Sequence, residues 1–206
     1  MKKQMQRRAS QDQELENRMG PVRSFARSCH YEAGHSEQVA FLALRLFEQL
    51  QSEWLLSKTD RFLLGAAGVL HDIGWIEGQK GHHKAAMRMI LEDRTLCLSD
   101  EERMLIALIS RYHRKSLPQK RHDGYGIINP ALQKKVCLLG GLLRIADGLD
   151  QTHTNTVEDV SVSIGPDSLT ISCKCKGSAT AEMMAAQKKA DLLEQVLSCR
   201  VYIRTI

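Results

Sequence analysis

The hydrophobic period of this chain changes once, near residue 155, and that change constrains the fold more tightly than any other feature. Before it, apolar residues recur at three- and four-residue steps: Val39, Leu42, Leu46 and Leu50; Leu63, Ala66, Ala67 and Leu70; Leu105, Leu108, Ile109 and Tyr112; Val136, Gly140 and Leu143. Stripes of this kind bury one face of a helix, so they predict four core helices. The punctuation agrees. Ser99 with Glu102 has capping-box form, Asn129-Pro130 offers a cap followed by a first-turn proline, and Pro118 follows the helix that carries His113. After residue 155 the pattern alternates by two, through Val160, Val162 and Ile164, a Gly165-Pro166-Asp167 turn, then Leu169, Ile171, Cys173 and Cys175. That is a β-hairpin pattern. A helical stripe (Met183, Ala186, Ala190, Leu193, Leu197) and a closing strand, VYIRTI, complete a ββαβ tail. The expected chain is mainly α: a helical domain over residues 1–155, of which 1–19 are a basic extension, and a small α+β subdomain over 156–206. A tail of that size needs the helices or a second subunit to pack against, and a homodimer is the expected assembly.

With 206 residues, 43% of them apolar, the chain can bury a core without disulfides. Its six cysteines lack the C-x-x-C pairing of a zinc ribbon and are expected to be free. No apolar run reaches the ~18 residues of a membrane span, and no apolar stretch follows the basic start. A cytoplasmic protein without membrane contact is expected. The net charge of +5 is concentrated early, with seven basic residues against three acidic ones in positions 1–27, and the remaining 22 basic residues face 21 acidic ones. Bulk charge therefore does not argue for duplex nucleic acid, and none is expected as a partner. One later stretch stands out. Between Arg111 and Lys135 lie seven basic residues against Asp123 alone, a candidate for local anion binding.

Eight histidines are present, and their placement matters more than their number. A His-Asp dipeptide proves little, since roughly 0.4 are expected by chance at this composition. His71-Asp72 ends an apolar helix in which Gly65, Gly68 and Asp72 share a line, so a neighbouring backbone can approach beside the carboxylate. His122-Asp123 lies in a polar loop with Lys120 and Arg121 and reads as solvated surface. His35 extends the Val39 and Leu42 stripe, His113 that of Ile106 and Ile109, and Asp147 that of Gly140 and Leu143, so all three point inward. For each histidine alone, a satisfied core imidazole is the simpler reading. An inward Asp is costly unless it is paired or binds a metal, and convergence of several helix ends on one metal explains the set economically.

The pattern H…HD…H…H…D resembles the HD-domain metal-dependent phosphohydrolases, a helical-bundle superfamily. The stretches HSEQVAFLALRLFEQL, LLGAAGVLHDIGW, HHKAAMRMI, IALISRYHRKSLP and LLRIADGLDQTH are similar to the C-terminal HD-like domain of the exopolyphosphatase and guanosine pentaphosphate phosphatase family. The resemblance covers residues ~20 to 160 and extends more loosely over the tail. It implies that His35, His71, Asp72 and Asp147 ligate one ion, that His83 and His113 add a second ion bridged by Asp72, and that His71 and Asp72 are catalytic. His82, next to His83, is the alternative; the spacing of HKAAMRMIL favours His83. The neighbourhood departs from HD-type cyclic dinucleotide phosphodiesterases, because Tyr112-His113-Arg114-Lys115 stands where they have His-His-Glu-Arg. It departs from the exopolyphosphatases too, whose catalytic N-terminal fold has no counterpart in these residues.

Histidine and carboxylate donors without thiolate suit Mn, Fe, Mg, Zn, Ni or Co, with Mn or Fe favoured by the resemblance. Arg144, one turn before Asp147, and Arg114 and Lys115, directly after His113, are expected to meet the phosphate of a substrate. Asp150, one turn after Asp147, is placed to accept from a ligand imidazole. The function expected is a metal-dependent phosphohydrolase or phosphodiesterase acting on a nucleotide or other phosphorylated small molecule. The competing class is a non-catalytic regulatory or dimerisation module that binds polyphosphate or nucleotide.

Overall fold

The computed structural model describes residues 17–206, so most of the basic extension 1–19 lies outside the described residues. Helix α1 runs through residues 17–28, followed by α2 (Ala33–Leu50) and α3 (Lys58–Leu70), a 3₁₀ turn (Ile73–Glu77), α4 (His82–Glu92), α5 (Asp100–Arg111) and α6 (Pro130–Gly148). Then come β1 (Val157–Ile164), β2 (Ser168–Cys175), α7 (Thr180–Lys188), α8 (Asp191–Leu197) and β3 (Arg200–Thr205). The predicted stripes are the buried faces of α2, α3, α5 and α6. The Ser99 capping box and the Asn129 cap before Pro130 form as the sequence indicates, and Ser57 with Asp60 makes a second box at the start of α3.

Helix α6 is the centre of the molecule. It packs on α2, α3, α5, α7 and α8, and every residue from Leu138 to Gly148 is buried. A helix apolar all round belongs inside, which is why α6 can carry an Asp and an Arg into the interior at its end. Gly68 in α3 permits the expected close approach: a Cβ there would lie 2.7 Å from Cα of Ala40, so α2 and α3 touch backbone to backbone just before His71.

The sheet order is β1-β2-β3, with β1 antiparallel and β3 parallel to β2. A register shift between Val157 and Asp159 turns Val157 and Val160 both inward, while Ile164, at the strand's far end, is exposed rather than sharing the face of Val160. Glutamine amides occupy both sheet edges. Gln49 donates to the Val160 carbonyl (2.9 Å) and accepts from the Val162 amide (2.8 Å); Gln187 donates to Val201 (2.8 Å) and accepts from Ile203 (3.0 Å). Each side chain stands in for the peptide of a further strand and satisfies an otherwise unpaired edge.

The tail differs from expectation in one respect: its single predicted helix is two, α7 and α8, broken at Lys189-Ala190. At the break Asp191, the first residue of α8, accepts the Leu192 amide (2.8 Å) and meets Arg144 of α6. The break thereby folds the tail back onto the end of α6. All six cysteines are free, and among the described residues no helix is long and apolar enough to cross a membrane.

Candidate metal centre

Helix ends converge on Asp72. His35 lies in the first turn of α2, His71 and Asp72 follow α3, His82 opens α4, His113 follows α5 and Asp147 lies near the end of α6. Gly74 makes the join possible. A Cβ there would fall 2.1 Å from the His82 carbonyl, so only glycine lets α4 start directly on the 3₁₀ turn.

Free backbone carbonyls, two at helix ends and one in the loop before α4, hold three histidines. The Nδ1 of His71 donates to the Gly68 carbonyl (2.7 Å), that of His113 to Ser110 (2.7 Å) and that of His82 to Gln79 (2.9 Å). His35 donates from Nδ1 to Asp150 Oδ2 (2.9 Å), and Asp150 Oδ1 accepts the Asn155 amide (2.8 Å). A carbonyl can only accept, so the ring proton is fixed on Nδ1 and Nε2 carries a lone pair, which in His82 accepts from Arg114 Nη1 (3.2 Å). This is how proteins orient metal-binding imidazoles.

The Nε2 atoms face carboxylate oxygens. Asp72 Oδ2 is 3.6 Å from His71 and 4.0 Å from His35, and its Oδ1 is 3.2 Å from His82 and 3.5 Å from His113. Asp147 Oδ1 is 3.6 Å from His35, and its Oδ2 is held by Lys189 Nζ at 2.5 Å. Buried Nε2 of His35, Nε2 of His71 and Oδ1 of Asp72 have no hydrogen-bond partner. Two groups have ligand atoms mutually close enough for one ion each, His35 with His71 and Asp147, and His71 with Asp72 and His113. Lone pairs aimed at lone pairs in a buried site need protons or a cation between them.

Titration follows the same geometry. Burial opposes ionisation of Asp72, but the charges and hydrogen bonds of His71, His82 and His113 outweigh it and hold the carboxyl below its usual range. Asp147 is likewise lowered against its burial, chiefly by Lys189 and then His35. For His35, burial is overcome by Asp147 and Asp150, which raise it to about 9. Burial, reinforced by His71, pushes His113 down to about 3. At neutral pH the metal-free site therefore holds two carboxylates, a protonated His35 and a neutral His113.

A cavity of about 670 Å³ opens over Asp72, His113 and Asp147. Trp75 forms part of its wall and lies nearly parallel to His82, ring centres 4.9 Å apart. Arg114 and Lys115 face it from the loop after α5, and Lys188 from the end of α7 with Lys189 directly after it. His153 also lines it, stacked on His35 at 3.8 Å, with Nδ1 donating to Glu32 (2.8 Å).

Three sequence expectations change. His83 points away from Asp72 into a separate small cavity, and burial with the charges of His82 and Arg114 pushes it down to about 4; His82 takes its place. Arg144 does not present a free fork to the cavity. Its Nε and Nη2 bind the Asp191 carboxylate (3.0 Å each) and its Nη1 the carbonyls of Tyr112 and Lys115 (3.1 and 3.4 Å), so it fastens the loop after α5 to α8. His122 is half-buried rather than solvated, with Nδ1 3.0 Å from the Tyr112 hydroxyl. Lys188, Lys189, Trp75 and His153 were not foreseen. A lysine doublet reads as solvated surface, and only the three-residue step from Asp150 to His153 hinted at a side chain returning to the site.

Residues 18–194 match the family model of the Ppx/GppA phosphatase, domain III, a span that includes every residue of the cluster and both Lys188 and Lys189. Comparison with the curated proteins gives no match.

Proposed function

Because the chain belongs to the Ppx/GppA phosphatase, domain III, family, we propose that it is an HD-type phosphohydrolase that takes one or two divalent ions and acts on a nucleotide or other phosphorylated small molecule. The observation that carries this reading is the convergence of four imidazole Nε2 atoms on Asp72 while each Nδ1 is tied to an acceptor. His35, His71, Asp72 and Asp147 would hold one ion, and Asp72, His82 and His113 a second. Among donors without thiolate, manganese or iron is the favoured ion, with Mg, Zn, Ni and Co as further candidates. A divalent ion bound there supplies a Lewis acid for phosphoryl oxygens and makes water a stronger nucleophile.

The chain's own residues do the remaining work. Arg114, Lys115 and Lys188 line the cavity as cations and neutralise phosphoryl charge, the arginine as a planar fork and the lysines as point charges. Lys189 fixes Asp147 Oδ2 and so aims Oδ1 at His35. Asp150 holds the His35 ring in place, and Trp75 covers His82 and lowers the local dielectric.

The second reading, a non-catalytic module that binds polyphosphate or nucleotide, is favoured by one feature: Lys189 already gives Asp147 a cationic partner. The two separate on one experiment. Chelator-treated protein, reloaded with manganese, should release inorganic phosphate from members of a panel of phosphate esters, and Asp72→Ala should lose both turnover and bound metal. Full metal content in Asp72→Ala would refute its role as a ligand. Stoichiometric binding of a panel member with no phosphate release would favour the module.

A further inference from the structure

The basic stretch after α5 is only partly accounted for by the larger cavity. Lys135 is paired with Asp60 at 2.7 Å, and Arg114 and Lys115 face the metal centre. Arg111 does neither. It lines a second cavity of about 130 Å³, which shares Arg114 with the first. The wall is made by His83 and Lys84 from the start of α4, and by Arg111, Arg114, Ser116 and His122 from the end of α5 and the loop beyond it.

No lining group is acidic. Among the described residues, no carboxylate lies within ion-pair distance of Lys84, Arg111 or Arg114; Asp123, beside His122, is exposed and does not line the cavity. Isolated surface cations are satisfied by water, but three around one concavity repel one another and attract a common anion. The hydrogen-bonding character points the same way. His122 Nδ1 accepts the Gln119 amide (3.3 Å) and the Tyr112 hydroxyl (3.0 Å), so its ring proton sits on Nε2, a donor. Arg111 reaches the weak acceptor Met87 Sδ at 3.4 Å and lies 5.7 Å from the centre of the Tyr112 ring, which orients its fork without neutralising it. Two guanidinium groups, an ammonium, an imidazole N–H and a hydroxyl make a wall rich in donors, and the volume suits a single tetrahedral oxyanion rather than a whole nucleotide.

We propose that this cavity is an oxyanion site that takes one phosphate group beside the candidate metal centre. It does not rest on the metal or on catalysis. The phosphate comes either from solution or from a second phosphoryl group on a ligand that reaches across Arg114.

The test uses the full chain after chelator treatment, so that no turnover intervenes. Inorganic phosphate is titrated while the His122 ring resonance is followed by NMR. The resonance should shift saturably, and Arg111→Met and Lys84→Met should each weaken the midpoint about tenfold or more. Lys188→Met, which faces only the larger cavity, should leave that midpoint unchanged. A compound with two phosphate groups that moves His122 at tenfold lower concentration than inorganic phosphate, an advantage lost in Arg111→Met, assigns the site to a second phosphoryl group; equal midpoints assign it to free phosphate. An unmoved His122 resonance would overturn the proposal. So would wild-type midpoints in both Arg111→Met and Lys84→Met. Because Lys84 is exposed, its variant keeps the test decisive if Arg111→Met fails to fold.

Discussion

His82 and His83 occupy consecutive positions of α4 yet face different cavities, because successive helical residues are turned by about 100°. Which of them meets Asp72 depends on where α4 begins. Gly81, in the left-handed region at φ +82°, and Gly74, with no side chain to hold α4 away, set that start. The sequence showed a doublet in the right place; the rotation that chooses between its members is a tertiary fact. The consequence is measurable by metal analysis after manganese loading. His82→Ala should bind less manganese, while His83→Ala should keep wild-type content. The reverse pattern would restore His83 as the ligand. Arg144 teaches the same lesson. Its position one turn before Asp147 was legible, but its partner Asp191 lies 47 residues on, beyond a helix break. Arg144→Ala should therefore act mainly on stability. Arg144 is buried while Asp191 is exposed, so loss of their charge-assisted hydrogen bonds should lower the unfolding free energy by about 1.5–3 kcal/mol in a denaturant titration. Wild-type stability with a raised KM would return it to the substrate.

At the scale of elements, the stripes of α2, α3, α5 and α6 were readable because their apolar residues repeat without interruption. Helix α1 was not read, although Met19, Val22 and Ala26 are buried, because Gly20-Pro21, a pair that reads as a break, stands between Met19 and Val22. The α7–α8 break was invisible for the opposite reason: Ala186, Ala190 and Leu193 continue one stripe through it. Yet the break brings Lys188 and Lys189 to the site. Gly148 controls that placement, since a Cβ there would lie 2.6 Å from Cα of Ala186. Gly148→Ala should push α7 off α6, costing about 1–3 kcal/mol of stability. It should also weaken manganese binding, because Lys189 no longer aims Asp147. Unchanged denaturation midpoint and metal affinity would show that the α6–α7 contact is slack.

Across the whole molecule, the buried histidines tie stability to pH. In the metal-free chain His35 keeps its proton to about pH 9, whereas the unfolded chain releases it near 6.5. Its contribution is complete below 6.5 and is lost as pH rises through about 9. His113 works in the opposite sense. Held to about 3, it stays neutral in the fold while the unfolded chain takes up a proton below 6.5, so stability falls as pH drops from there. Asp72 and Asp147, with lowered carboxyl pKa values, stabilise the fold above their ordinary 3.8 and lose that contribution as pH falls further. The melting temperature of the metal-free chain should peak near pH 6.5 and decline on both sides. A melting temperature that climbs from pH 6.5 to 9 would show that His35 is not held as a cation.

All of these expectations meet in one claim, that His35, His71, Asp72, His82, His113 and Asp147 form a metal centre. Anomalous diffraction from crystals saturated with manganese tests it directly. Peaks should lie among the Nε2 atoms and the oxygens of Asp72 and Asp147, with His83 outside their reach. Manganese bound elsewhere, or no peak at saturating metal while the six side chains keep their mutual contacts, would contradict it.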